Sequence, residues 1–144
     1  MSDDALLQER VRGVLAVPLH RWLGLRLADE ADPAAGTVLH VGDAAVNNAG
    51  VLHGGLVAAL CDVAAYLAVL PHLRPGTNAV TTASSVAIVR SAPAGATVTF
   101  RGQVVRVGRS VAVCTSSAHL LDEGGEVAGV VATGQVTKQV VATG

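Results

Sequence analysis

One acidic residue lies inside the most hydrophobic stretch of this chain. Residues 56–70 are almost entirely apolar, and Asp62 stands near their middle. Removing a carboxylate from water without giving it partners costs several kcal/mol. Buried ionisable groups are therefore candidates for catalytic roles, although structural ion pairs also produce them. We interpret Asp62 as a catalytic candidate, and the alternative is a structural acid that caps a neighbouring loop.

The residues before this stretch suit the binding of a negative charge. His53-Gly54-Gly55 opens the stretch, and Asn47 lies in the loop before it. The first N–H groups of a helix lack partners within the helix, and the helix dipole favours an anion there. Glycines at 54 and 55 leave room for a close approach by a substrate. The structural alternatives are a turn-forming Asn47, a helix-terminal His53 and two glycines that permit tight packing.

Hydrophobic spacing and turn residues predict the elements that position these groups. The long helix after Gly54 is apolar on nearly every face, so it must be buried, and such a helix needs a sheet wrapped around it. The last four strands are joined by short links and predict an antiparallel meander. The predicted fold class is therefore α+β. The predicted helices cover residues 4–16, ended by Pro18, and 54–70, and the predicted strands cover residues 23–28, 36–41, 79–89, 96–107, 110–121 and 126–136.

Length and charge exclude several classes of protein. The 144 residues predict a single domain, residues 1–144, with a sizeable core. A formal net charge of −1 without any run of like charges argues against nucleic-acid binding. The apolar stretch is shorter than the roughly 20 residues of a membrane-spanning helix and contains an acid, so no membrane association is predicted. The N-terminus leads into no apolar segment, which predicts no signal peptide.

The cysteines and histidines predict no metal site and no cofactor. Cys61 and Cys114 lack CxxC spacing and predict free thiols in a reducing, cytoplasmic compartment. Cys61 points roughly 100° away from Asp62 around a helix, which predicts packing and not a nucleophile. The 5 histidines show no metal-ligand spacing, and no nucleotide-binding fingerprint is present.

The candidate residues together resemble a known motif. It is Asn47-x-x-Gly50-x-x-His53-Gly54-Gly55-x6-Asp62, and it is similar to that of hotdog-fold acyl-CoA thioesterases, in particular the phenylacetic-acid-degradation type. The resemblance extends over most of the chain. It includes Leu23-Gly24-Leu25, Ala79-Val80-Thr81, Arg90-Ser91-Ala92 where the family usually has Arg-Pro-Ala, and Val105-Arg106-Val107-Gly108-Arg109. The resemblance implies a hotdog fold and hydrolysis of an acyl-CoA, or of an acyl-carrier-protein thioester, to a free acid and a thiol.

The resemblance also implies catalytic roles. Asp62 is the general base or the nucleophile, the Gly54 N–H binds the thioester oxygen, and Asn47 polarises that carbonyl or holds the water. Thr81 orients the water, or is a β-branched strand residue without a special role, and His53 is a further catalytic candidate. Thioester hydrolysis develops negative charge on the carbonyl oxygen, which a helix N-terminus is suited to stabilise.

Four residues are candidates for substrate binding. Gly55 lies beside the expected carbonyl site. Arg106 and Arg109 fall near the place where the family meets the CoA phosphates, and the alternative for both is a solvated charge on a hairpin. Tyr66 lies four residues after Asp62 and on the same helix face. It lines the acyl pocket, or its hydroxyl meets a buried partner.

The motif spacing predicts a shared active site. Gly54 and Asp62 are separated by about 12 Å along a helix. An aspartate side chain is too short to span that distance. Two such helices crossing antiparallel about a two-fold axis would bring Asp62 of one chain to Gly54 of the other. We therefore expect a homodimer with shared active sites, and the resemblance implies further assembly into a homotetramer.

Two rival functions remain at the level of sequence. The first rival is an enoyl-CoA hydratase of the hotdog fold. Such enzymes resemble one another in carrying a histidine five residues after the aspartate, whereas this chain has Leu67 there. A non-catalytic acyl-CoA-binding domain is the rival from another class. No segment is left over for a helix-turn-helix that such a sensor would use.

Overall fold

An antiparallel sheet wrapped around one long helix forms the body of the chain. The computed structural model describes residues 1–143. The helices are α1 (Asp3–Leu15), α2 (Pro18–Leu23) and α3 (Gly54–Val69), with short 3₁₀ turns at Pro33–Ala35, Asp43–Ala45 and Leu70–His72. The strands are β1 (Arg26–Leu27), β2 (Thr37–His40), β3 (Thr77–Ile88), β4 (Thr97–Val107), β5 (Val111–Leu121) and β6 (Val127–Ala142). This architecture confirms the predicted α+β hotdog fold.

The sheet has the strand order β1-β2-β4-β5-β6-β3. Strands β4, β5 and β6 form the predicted meander, but its extension to β3 was wrong, because β3 pairs with β6 at the far edge. The link from β3 to β4, residues 89–96, is too long for a tight hairpin. It is also bonded to the loop before α3, where the Leu52 N–H donates to the Ala92 carbonyl at 2.7 Å. The link therefore crosses the end of α3 and joins opposite halves of the sheet.

Several element boundaries differ from the prediction. Pro18 follows the end of α1 and is also the first residue of α2. The N–H group at that position of a helix has no partner within the helix, so proline is well suited there. Strand β1 is short, since the Leu25 N–H donates to the His20 carbonyl and closes α2 first. Strand β6 continues beyond Val136 to Ala142, because its last residues pair with the beginning of β3. That extension carries Lys138.

Helix α3 packs tightly against the middle of the sheet. Leu60, Cys61 and Leu67 are almost completely buried. The closest approach is at Gly102 of β4, where an added Cβ would lie 2.5 Å from the Ala64 carbonyl oxygen. Glycine is required there because helix backbone fills the space of any side chain.

The segment Gly54–His72 is long and apolar enough to cross a membrane, judged by length and composition alone. Half of it is buried within the chain. Its position under the sheet is that of a core helix.

Gly102→Ala should destabilise the fold by about 2 kcal/mol or more, since the new Cβ meets backbone and not a movable side chain. Gly13→Ala is the matched control. Gly13 is exposed in α1 with no atom within 4 Å of an added Cβ, and its replacement should stabilise by about 0.5–1 kcal/mol. Urea unfolding followed by circular dichroism measures both. A Gly102→Ala protein as stable as the wild type would mean that α3 does not lie this close to β4.

Candidate active site

Three side chains from three elements meet at one carboxylate oxygen. The Thr81 hydroxyl on β3 donates to Asp62 Oδ1 at 2.7 Å. The Lys138 ammonium on β6 donates to the same oxygen at 2.8 Å and to the Thr81 hydroxyl oxygen at 2.8 Å. Asp62 therefore does not cap a loop. It is held by an ion pair and a hydroxyl from two neighbouring strands.

Lys138 is the functional candidate that the sequence prediction missed. Its side chain is 2% exposed, whereas that of Asp62 is 35% exposed. A buried ammonium is costly unless it is paired. The predicted strand ended at Val136, so Lys138 was not assigned to a face. The alternation of Val136, Lys138 and Val140 is the signal that places the lysine on the inward face of β6.

Thr81 holds the carboxylate. Its hydroxyl proton is donated to Asp62, and its oxygen accepts from Lys138. The resemblance implied that Thr81 orients a water. The structure does bring Thr81 to Asp62, but the proton that would point to a water is already engaged.

Tyr66 meets a polar partner, the second of its two predicted roles. Its hydroxyl donates to Asn78 Oδ1 at 2.6 Å, and that oxygen also accepts from the Ala79 N–H at 2.8 Å. Burial raises the pKa of the Tyr66 phenol, so it stays protonated and acts as a donor. The Lys138 ammonium lies 5.4 Å from the centre of the Tyr66 ring, within the range of a cation–π contact.

His53 caps the N-terminus of α3. Its Nδ1 atom accepts from the Gly55 N–H at 2.9 Å, so the proton of the neutral ring is assigned to Nε2. An added Cβ at Gly55 would lie 3.0 Å from His53 Nδ1, so this glycine makes room for the imidazole. The Gly55 N–H is therefore occupied. Within residues 1–143 the Gly54 N–H has no hydrogen-bond partner and is free to bind a carbonyl oxygen.

Asn47 and Gly54 line one cleft of about 450 Å³. Asn47 Oδ1 accepts from the N–H groups of Ala49 and Val51 at 3.0 and 3.3 Å, which orients its side chain. This leaves the amide NH₂ as the available donor. The cleft therefore contains two N–H donors from neutral groups.

Arg90 lines the same cleft and had no predicted role. Its guanidinium lies over Gly129, where an added Cβ would be 2.8 Å from Nη1. Because Gly129 has no side chain, the planar guanidinium packs against the backbone there.

The chain by itself does not bring the two groups of candidates together. Asp62, Thr81 and Lys138 do not line the cleft of Asn47 and Gly54. The two sets are separated by about 12 Å of helix α3. The structure thus contains two separate groups of candidate residues, called half-sites below, one at the helix N-terminus and one in its middle.

The two hairpin arginines differ in their relation to a second, basic cleft. Arg109 lines this cleft of about 240 Å³ together with His72 and Arg74. Arg106 does not line it, but the Arg106 guanidinium carbon would lie 4.0 Å from a Cβ added at Gly108, which does line it. The basic cleft could hold an anionic group such as a phosphate.

Neither cysteine is poised for catalysis. Cys61 and Cys114 are both buried free thiols. Burial, reinforced by the charge of Asp62, raises the pKa of the Cys61 thiol to about 11. The thiol is therefore protonated near neutral pH, which favours the packing role. In the described part of the chain no group of three or more His, Cys, Asp or Glu side chains is placed to hold a metal ion.

Comparison with known proteins identifies the class. The family model of the thioesterase superfamily matches residues 49–127, and the chain belongs to that superfamily. It is a thioester hydrolase of the hotdog fold. The matched segment contains Gly54, Asp62 and Thr81, and it ends before Lys138. No curated protein matches the chain.

Solved structures share the fold over nearly the whole chain. A thioesterase family protein from Silicibacter pomeroyi is 24% identical, with a TM-score of 0.82, and the match covers 95% of this chain and 99% of that one. The PaaI protein of the phenylacetic acid degradation operon of Escherichia coli is 20% identical, with a TM-score of 0.78 and coverage of 98% and 97%. The smu.793 protein of Streptococcus mutans, bound to acetyl CoA, is 26% identical, with a TM-score of 0.61 and coverage of 74% and 80%.

Proposed function

We propose that this protein is an acyl-CoA thioesterase whose active site is shared between two copies of the chain. The observation that carries the proposal is the pair of half-sites on α3. One supplies N–H donors at Gly54 and Asn47, and the other supplies the carboxylate of Asp62. Neither half can hydrolyse a thioester alone.

The exposed edge of the sheet supports the pairing. Strand β3 is the last strand in the sheet order. Its residues Val80 and Ile88 are 45% and 47% exposed. A long edge strand with exposed apolar side chains is a template for pairing with another strand. A second copy of β3 is the natural partner in a two-fold dimer.

The geometry of that pairing joins the half-sites. The register of β3 skips Thr82, so a two-fold axis at Ser85 would set Thr81 of one copy opposite Ile88 of the other in an antiparallel pair. Ile88 lies beside Gly54, since its Cδ1 atom would be 3.2 Å from a Cβ there. Thr81 holds Asp62. Asp62 of one copy therefore comes to the Gly54 of the other.

In the proposed reaction Asp62 acts as the general base. A water attacks the thioester carbon while Asp62 takes a proton from it, so the new C–O bond forms as negative charge develops on the carbonyl oxygen. The Gly54 N–H and the Asn47 amide bind that oxygen. The C–S bond then breaks, and the thiol leaves with the proton that Asp62 returns. The products are a free acid and a thiol.

The basic cleft supports CoA as the carrier. His72, Arg74 and Arg109 surround it. Thr77, which also lines it, precedes Thr81 by about 13 Å along β3. The pantetheine arm of CoA is extended and separates the thioester from the phosphates over a comparable span. The similar Streptococcus mutans protein binds acetyl CoA.

The hydratase alternative loses support from the core. Leu67, where a hotdog hydratase would carry its histidine, is fully buried and packs with Val69 and Leu70. The alternative of a non-catalytic binding domain is excluded if the wild-type protein hydrolyses an acyl-CoA.

Asp62→Asn should lower kcat for acyl-CoA hydrolysis by about 10²-fold or more, because the amide keeps the shape and cannot take a proton. Thiol release from a panel of acyl-CoAs measures it. Asp43→Asn, which removes an exposed carboxylate elsewhere, is the control and should behave as the wild type. Near-normal turnover by Asp62→Asn would remove the proposed mechanism, and no turnover by the wild type on any acyl-CoA would favour the binding domain.

Replacing both Arg74 and Arg109 with alanine should raise KM for acyl-CoA by about 10-fold or more, since charge-assisted bonds to phosphate are lost. The same acyl group on a small neutral thiol should be little affected. The double change of Arg12 and Arg21 to alanine, exposed residues on α1 and α2, removes the same charge and is the control. Equal losses on both thioesters would assign the basic cleft a structural role.

A further inference from the structure

We propose that Lys138 is a positioning residue that fixes the Asp62 carboxylate for hydrolysis. The inference rests on the function proposed above. Lys138 does not line the cleft of Asn47 and Gly54, and at 2% exposure it has no surface to offer a substrate. Its ammonium contacts the Asp62 and Thr81 side chains. Any effect on the reaction must therefore pass through Asp62.

Lys138 and Thr81 make the two carboxylate oxygens different. Both donate to Oδ1, and Oδ2 has no hydrogen-bond partner among residues 1–143. Without such contacts the χ2 torsion of an aspartate has a broad, nearly two-fold distribution. The carboxylate then rotates, and its two oxygens exchange positions. Two donors on Oδ1 hold the torsion and leave Oδ2 as the oxygen that takes the proton.

The lysine is itself held on its other side. Its ammonium lies 5.4 Å from the Tyr66 ring centre, and the Tyr66 hydroxyl is bound to Asn78. The chain of contacts from Asn78 through Tyr66 and Lys138 to Asp62 ties the carboxylate to the beginning of β3 and the end of β6.

Stability alone does not account for a lysine at this position. Its neighbours on the inward face of β6, Val136 and Val140, are apolar and pack into the core. A buried ion pair is often no more stabilising than apolar residues of similar shape, because both charges lose hydration. An apolar residue would fill the site, but it could not distinguish Oδ1 from Oδ2.

The test is a double-mutant cycle on kcat. Lys138→Met keeps an unbranched side chain, one heavy atom shorter, and removes its charge. It should lower kcat for acyl-CoA by about 10- to 100-fold, since a small misplacement of a reacting group is enough for that loss. KM should stay within about two-fold, because no substrate contact is lost. In the Asp62→Asn background the same change should alter the residual kcat by less than about two-fold.

Two further variants separate positioning from folding. Lys138→Arg keeps a cation and should recover part of the kcat that Lys138→Met loses. Thr81→Val removes the other donor to Oδ1 and should lower kcat at unchanged KM even if Lys138→Met does not fold. Thermal unfolding of each protein is measured alongside.

The outcomes are distinct. The inference is overturned if Lys138→Met, folded and less stable, keeps the wild-type kcat, or if it loses equal kcat in both backgrounds. A rise in KM alone would also overturn it. An active wild type with an inactive Asp62→Asn and a normal Lys138→Met would reject this inference and leave the proposed function standing. A wild type that hydrolyses no acyl-CoA would reject both.

Discussion

Helix α3 holds two reactive groups at a fixed separation, and this constraint shapes the rest of the site. The helix packs against the sheet around it, down to close backbone contact between Gly102 and Ala64. Its N-terminus offers the Gly54 N–H, and Asp62 lies about 12 Å further along. A rigid helix cannot fold these groups onto one substrate. A second helix is needed, and the exposed β3 edge is where a second copy would pair.

The ion pair at the middle of the helix adds an electrostatic constraint. Lys138 is buried, and a buried ammonium needs its partner close at hand. Asp62 is only partly buried and can still face a substrate. The lysine therefore fixes one side of the carboxylate while the other side stays open. The same polar network includes Thr81 and extends through Tyr66 to Asn78, so five polar side chains are ordered together.

Local sequence patterns predicted helix α3 and Asp62 within it, but they could not predict which distant strands pair. The run of apolar residues after Gly54 predicts α3, because a helix that is apolar on all faces must be buried. The place of β3 beside β6 depends on contacts between distant segments, which periodicity does not encode. Lys138 was missed for a related reason: a polar run after Val136 looks like the end of a strand until β3 is known to pair with it. The missing side chain of Gly55 makes room for the His53 cap, which agrees with the packing alternative for this glycine. The meeting of Asp62 and Thr81 was implied only by resemblance.

The shared site is tested most directly by mixing two inactive proteins. Asn47→Ala and Asp62→Asn each remove one half-site, and both homodimers should be nearly inactive. After joint unfolding and refolding, about half of the dimers should be mixed, and each would contain one intact site. About a quarter of wild-type kcat per dimer should then return. Mass spectrometry of differently tagged chains verifies the mixed dimers. If mixed dimers form and no activity returns, every site lies within a single chain, and the account of α3 is wrong.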